Sequence, residues 1–271
     1  MKSDILPYIV LVIFVSILLS PIVLITFNSF KNTSETFGWP PTIIPKEFSL
    51  EAYYKVINSY VPLTLRNSII ISVGTMIVVL AFSTFTAYGI SKYKFRGSRQ
   101  LSFAILTTRI IPPLSLIVPF YILMSWLGIT DTFLCIIILE TYMNYPLMVW
   151  TLKGFFDDFP QDLIDSAMVD GCSRANALLR VVLPVSAVAL AAAAIITFLW
   201  TWNEFIYAMI FLSSPNVQPV TVGIFQFVGD EVIEWNSLSA VAVFTSIPAI
   251  IFFIVAQKYI ISGLLRGAVK R

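Results

Sequence analysis

Long apolar runs alternate with short polar stretches along the whole chain. Six of the runs have the length of a membrane crossing, about 20 residues each. They span residues 5–27, 67–91, 101–124, 132–152, 185–212 and 238–261. Each predicts a helix, because a backbone embedded in lipid must satisfy its own N–H and C=O groups. The first run is interrupted only by Pro7, Pro21 and small polar residues. It is too long for the apolar core of a cleaved signal and no A-x-A-like site follows, so it is expected as a retained span. The third carries Pro112, Pro113 and Pro119, which should kink or locally break it, since each removes a backbone donor and crowds the preceding turn. Residues 28–65 form a mixed polar segment with four prolines, too long for a hairpin and too short for a separate domain. No usable internal repeat is visible. The pattern predicts an all-α integral membrane fold of six transmembrane helices, read as one domain over residues 1–271.

One polar stretch stands apart. Pro160 to Pro184, PQDLIDSAMVDGCSRANALLRVVLP, is an acid-rich insert in an otherwise apolar chain. Pro160 suits a first helical turn, and Asp157, Asp158 and Asp162 favour the positive end of the helix dipole. Leu163, Ile164, Ala167 and Met168 then make one apolar stripe, with Asp162, Asp165 and Ser166 elsewhere. Gly171 is placed to end that helix in a left-handed conformation and Ser173 to cap a second one. The expected object is a short helix, a sharp turn and a second helix entering the membrane at Pro184. Helices that lie on anionic lipid carry Lys and Arg on the polar face, whereas this one offers aspartates, so the stripe is expected to meet protein.

Composition agrees with the membrane class: 58% of residues are apolar, 12% are charged and the mean hydropathy is +0.88, far from soluble domains, which are about a quarter charged. A net charge of +2 gives no reason to expect nucleic acid. The absence of histidine removes His-ligated metals and His-based triads. No segment reads GxxxxGK[ST] and no Gly precedes Lys, so the chain has no P-loop of its own. Cys135, in an apolar run, and Cys172, in the insert, read as packing residues.

Cationic residues orient the spans. Twelve of them (Lys2, the four from Lys92 to Arg99, Lys153, Arg174, Arg180 and the four from Lys258 to Arg271) fall on the side holding the termini, against Lys31, Lys46, Lys55 and Arg66 on the other. Both termini and the polar insert are therefore expected in the cytoplasm.

At the insert the sequence resembles the inner-membrane permease subunits of ABC importers. Their cytoplasmic signature is E-A-A, a Gly after three further residues, and Leu-Pro or Ile-Pro about a dozen later. The matching positions are Asp165, Ser166 and Ala167, then Asp170 and Gly171, then Leu183 and Pro184, with Asp for Glu and Ser for the first Ala. NSIIIS after Arg66, AYGISKYKFRG, IPPLSLIVPFY, WNEFIYA and the tail QKYIISGLLRGAVKR follow in the family's order. They are similar to the carbohydrate-uptake branch, in particular the shorter permease of maltose-type systems. The resemblance implies a type I importer fold in a bacterial or archaeal inner membrane. It implies a second permease subunit, an ATPase dimer that holds ATP and Mg in place of this chain, an extracytoplasmic solute-binding protein and a sugar or related polyol as solute. It also makes the insert a coupling helix seated in a cleft of the ATPase, with Leu163, Ile164 and Met168 beside the signature residues. On that reading Gly171→Asp or Ala167→Arg uncouples transport in a chain that still inserts.

Ionisable residues at membrane depth are functional candidates, here Arg109, Glu140 and Glu204 with the amides Asn144 and Asn203. Tyr142, Tyr145, Trp200, Trp202 and Tyr207 surround them in sequence, and Trp202, beside Asn203 and Glu204, joins those five ionisable and amide residues as the sixth candidate for the solute path. Aromatic faces beside acceptors suit a sugar ring, but aromatics also build interfacial belts and Glu204 could pair with Arg109. A self-contained secondary transporter or channel remains the alternative; it would call for an ion-relay array and a repeat. No spaced nucleophile and base suggests a membrane enzyme.

Overall fold

The computed structural model describes residues 5–93, 95–228 and 233–268, with side chains described as far as Gln257. Lys2, Lys94, Lys270 and Arg271, four of the cations used for orientation, lie outside the described residues, and the side chains of the tail motif beyond Gln257 do as well. Among the described residues the structure is almost entirely helical, with one isolated antiparallel bridge between Val228 and Ile233.

Among the described residues four helices are long and apolar enough to cross a membrane: Ile5–Ser29, Val61–Lys92, Phe133–Asp157 and Trp235–Gln257, the last being the part of Trp235–Ala268 whose side chains are described. Two further crossings are bent pairs, Ser98–Ile110 with Pro113–Trp126 at 91° and Arg174–Val185 with Ala187–Trp202 at 78°. Six crossings result when each bent pair counts as one.

The departures from the predicted runs have local causes. Val61–Lys92 starts six residues before the expected residue 67 because Pro62 occupies its first turn, where a missing N–H costs nothing. The run 101–124 is not one rod. Ile111 and Pro112 take extended angles, with ψ of 122° and 126°, as residues preceding proline favour. Pro119, by contrast, lies in the first turn of Ile117–Trp126 and breaks nothing. The run 185–212 is also interrupted: its helix ends at Trp202 and a short one resumes at Ile206–Phe211.

The chain divides into two compact units. One comprises residues 1–66 and 220–247. Its core is Ala52, Val56, Val61, Val220, Phe227, Ala240 and Val241. Lys55 bridges Glu51 at 3.5 Å and Glu234 at 3.3 Å, and the Ser237 hydroxyl, 2.7 Å from Glu234, holds that carboxyl below the usual range. Gly223 lies so close to Thr64 that a Cβ there would stand 2.7 Å from its side chain. Helix Ile5–Ser29 exposes its entire apolar window, which costs nothing in lipid.

The other unit comprises residues 67–219 and 248–271. Its core draws Val79, Ala87 and Tyr88 from Val61–Lys92, Met148, Leu152 and Phe156 from Phe133–Asp157, and Ile164, Ala167, Leu178 and Val182 from the polar insert. The insert is therefore part of the folded body of this unit.

Candidate functional site

The insert builds a knuckle. Pro160 precedes helix Gln161–Val169. The helix ends as the sequence predicts: Gly171 has φ of 88°, its N–H donates to the Met168 carbonyl at 3.1 Å, and the Cys172 N–H donates to the Ala167 carbonyl at 3.0 Å. This is the paired six-to-one and five-to-two closure of a Schellman turn. The Ser173 hydroxyl then accepts from the Asn176 N–H at 3.3 Å and caps Arg174–Ala177. A π-type turn at Leu178–Val182 leads into Leu183 and Pro184.

Two contacts fix the knuckle to the end of helix Val61–Lys92. Lys92 Nζ donates to the Phe159 carbonyl at 2.8 Å, and the Arg174 guanidinium lies 5.2 Å from the Tyr93 ring centre.

The apolar stripe divides in two, which the helical pattern could not show. Ile164 and Ala167 are buried in the unit's own core, at 3% and 7% exposure, whereas Leu163 and Met168 are exposed. Asp165, Ser166, Asp170 and Gly171 face outward with them. Val169, which the sequence reading did not single out, is the most exposed apolar side chain of the helix at 88%. Ala167, expected at the joint with a partner, packs into a core made of this chain's own residues. Ala167→Arg would force a charge into a packed core, a folding lesion in itself. Gly171→Asp would strain a left-handed backbone even though nothing lies within 4 Å of the added Cβ.

The second candidate region forms where both bent pairs are interrupted. A cavity of about 330 Å³ is lined by Arg109, Pro113, Glu140, Asn144, Trp200, Glu204 and Tyr207, among others. The break after Ile110 and the break after Trp202 both open beside Phe133–Asp157, which presents Glu140 and Asn144 from successive turns. Irregular backbone in a membrane chain belongs where it is buried in protein or lines a cavity.

The polar groups there are engaged. Asn144 Nδ2 donates to the Glu140 carbonyl at 2.9 Å and to Glu140 Oε2 at 3.2 Å, and both residues are almost fully buried. Glu204 Oε1 accepts from the Tyr207 N–H at 2.7 Å and Oε2 from the Ala208 N–H at 3.0 Å, so this carboxylate caps Ile206–Phe211. Tyr207 Oη donates to the Pro113 carbonyl at 2.8 Å, tying one break to the other. The Arg109 guanidinium sits 4.7 Å from the Trp200 ring centre, a cation–π geometry.

Four of the six predicted path residues, Arg109, Glu140, Asn144 and Glu204, thus meet in one cavity. Trp202 and Asn203 do not line it. Trp202 is buried in a stack on Phe198, with centroids 5.4 Å apart, and Asn203 donates back to the Leu199 carbonyl at 2.7 Å, closing its own helix. Trp200 takes the place expected of Trp202. The missed signal is the Asn-Glu pair inside an apolar run, since short polar side chains that bond nearby backbone groups end and restart helices.

Residues 79–266 match the family model described as binding-protein-dependent transport system inner membrane component, and the chain belongs to that family. It is the permease subunit of an ABC importer, a membrane transport component with the type I importer fold. It is 32% identical over 279 residues to the trehalose/maltose transport system permease protein MalG of Thermococcus litoralis, covering 100% of this chain and 99% of the relative. It is 29% identical over 263 residues to the inner membrane ABC transporter permease protein YcjP of Escherichia coli (strain K12), covering 96% and 94%. Among solved structures it is similar to a chain of a bacterial ABC transporter involved in the import of the acidic polysaccharide alginate, with TM-score 0.82, 25% identity and coverage of 96% and 98%.

Proposed function

We propose that this permease carries a carbohydrate, a di- or oligosaccharide or a related polyol. The relatives named above supply the solute class: one is named for trehalose and maltose and one structural neighbour for alginate. The observation that carries the reading to this chain is the cavity at the two helix breaks, which offers an aromatic face, Trp200, beside a buried carboxylate and amide, Glu140 and Asn144. A sugar ring has an apolar face and a rim of hydroxyls, and this wall complements both.

The chain does no chemistry of its own. ATP and Mg are held by an ATPase dimer docked on the knuckle, a second permease subunit completes the path, and an extracytoplasmic binding protein delivers the solute. Both termini lie in the cytoplasm. Closure of the ATPase pair moves Gln161–Val169 as a lever, and the burial of Ile164 and Ala167 passes that motion into the body of residues 67–219. ATP biases the path between its two faces because it binds one state better than the other. Contact is made through Leu163, Asp165, Ser166, Met168, Val169 and Asp170, while Gly171, Leu183 and Pro184 set the turn and the return into the membrane.

The test is reconstitution of the assembled complex with a panel of sugars and polyols, reading ATP hydrolysis that depends on the binding protein. Stimulation by at least one glycoside or polyol is expected. If none stimulates while an unrelated solute does, the carbohydrate assignment falls and the importer assignment stands. Transport by the chain alone would restore the secondary-carrier alternative.

A further inference from the structure

A second cavity lies beside the knuckle and serves neither role described above. Its volume is about 420 Å³, and it sits between the ends of Val61–Lys92 and Phe133–Asp157 and the start of Ser98–Thr107. Its polar wall holds Arg99, Lys153, Ser91, Ser98, Ser102 and Asp157. Its apolar wall includes Phe103 and Trp150, which meet edge to face at 6.1 Å and are both exposed.

Three features point to an anion with an apolar body. Ser102 is 4% exposed and its hydroxyl has no hydrogen-bond partner, a cost the protein recovers only if something in the cavity bonds to it. The first turn of the ten-residue helix Ser98–Thr107 follows Gly97, which supplies no side-chain cap; the Ser98 and Leu101 amides donate to the Phe95 and Gly97 carbonyls at 3.1 and 2.8 Å, and the Arg99 amide stands at the positive helix end, where an anion is favoured. Two cations face one anion: Lys153 and Asp157 pair at 2.5 Å, Asp157 also accepts from the Ser91 hydroxyl at 2.7 Å, and Arg99 is the surplus positive charge.

We propose that this cavity binds the phosphate of an anionic phospholipid from the leaflet on the knuckle's side. The guanidinium and backbone amide of Arg99 and the Ser102 hydroxyl hold the phosphate, and Phe103 and Trp150 flank the glycerol and the first methylenes. Basic pockets between spanning helices at the cytoplasmic face suit such headgroups, and exposed aromatic pairs suit the membrane interface. A free phosphate would use the polar wall but leave the aromatic wall idle. The inference rests on the reading that this end of Phe133–Asp157 faces the cytoplasm. Because helix Gln161–Val169 begins four residues after Asp157, the bound lipid would steady the helix ends from which the lever projects.

The test uses the assembled transporter, extracted, washed in detergent and placed in nanodiscs of phosphatidylcholine with or without phosphatidylglycerol. Retained lipid is then counted by native mass spectrometry. Wild type retains phosphatidylglycerol, and Arg99→Gln lowers that retention about tenfold, the ratio for losing one charge-assisted bond. Ser102→Ala lowers it about threefold, and Arg99→Lys recovers part of the loss. Equal retention by wild type and both loss variants overturns the proposal. Protection against heat by inorganic phosphate without retention of phosphatidylglycerol overturns the lipid source. Loss of the ATPase partner in Arg99→Gln with lipid retention unchanged overturns it in favour of a protein contact. Retention is read without transport, so a wrong solute assignment leaves the result standing.

Discussion

The knuckle and the broken-helix cavity both carry residues singled out by chemistry, yet they use them in opposite directions. In the knuckle the side chains divide by direction: Ile164 and Ala167 are spent on the fold, while Leu163, Met168 and Val169 remain exposed. In the cavity Glu140, Asn144 and Glu204 look inward, and their hydrogen bonds are made largely to the backbone and to one another. An exposed apolar residue at a water-facing turn keeps its binding energy for a partner. A capping carboxylate has already used much of its own to hold an interrupted helix, so what it offers a solute is shape and position.

The largest effect is therefore expected on the knuckle's outer face. If the ATPase docks on this face as proposed, Val169→Asp and Leu163→Asp would each remove an apolar contact that, once buried, is worth about 1.5–3 kcal/mol. Binding-protein-dependent ATP hydrolysis and uptake should fall by about tenfold or more, with the thermal midpoint of the isolated permease within the shift that about 0.5 kcal/mol produces, as for ordinary surface substitutions. Ala167→Arg should behave differently, with loss of folded protein preceding any loss of coupling. If Val169→Asp couples normally, the outer face is not the docking surface and the two regions no longer contrast.

The same contrast governs what could be read from the chain alone. The knuckle was legible almost residue by residue, because its turn depends on local rules: Gly171 at a left-handed position, Ser173 at a cap, Pro160 before a first turn. Which half of its stripe faced inward was not legible, since Ile164 and Ala167 are buried by Met148, Phe156 and Leu178, neighbours fixed only by tertiary packing. Six apolar runs were visible, but two of them conceal breaks. Pro112 and Pro113 announced the first break in advance. The second was hidden because WNEF sits in an apolar run, and only the folded chain reveals that Asn203 closes one helix and Glu204 opens the next. For the same reason Trp202 was expected in the path, whereas the bend of the chain delivers Trp200.

A middle-sized effect separates capping from solute contact in the cavity. Glu204→Ala strips the acceptors from the Tyr207 and Ala208 amides and should destabilise the permease by about 1 kcal/mol, within the 0.5–2 kcal/mol range of lost caps. Transport should drop with it. Glu204→Gln keeps one acceptor and the side-chain shape, so its thermal midpoint should lie between alanine and wild type with most of the uptake preserved. Uptake abolished in Glu204→Gln at an unchanged midpoint would move Glu204 from capping to direct recognition, and the cavity would then hold unspent binding energy as the knuckle does.

The smallest effect is expected at Asn203, three positions from Trp200 and outside the cavity. Its amide donates to the Leu199 carbonyl at 2.7 Å, one hydrogen bond at an exposed helix end whose net worth is about 0.5–1.5 kcal/mol, and the low end applies because water can replace it. Asn203→Ala should leave the apparent affinity for solute unchanged and shift the thermal midpoint only slightly, whereas Trp200→Ala, which removes the ring beneath Arg109, should weaken apparent affinity while the ATPase remains coupled. A solute competition series on the two variants decides the matter. If Asn203→Ala loses affinity as strongly as Trp200→Ala, the path passes along the other side of the Trp202 break, and the cavity is a structural joint that serves packing alone.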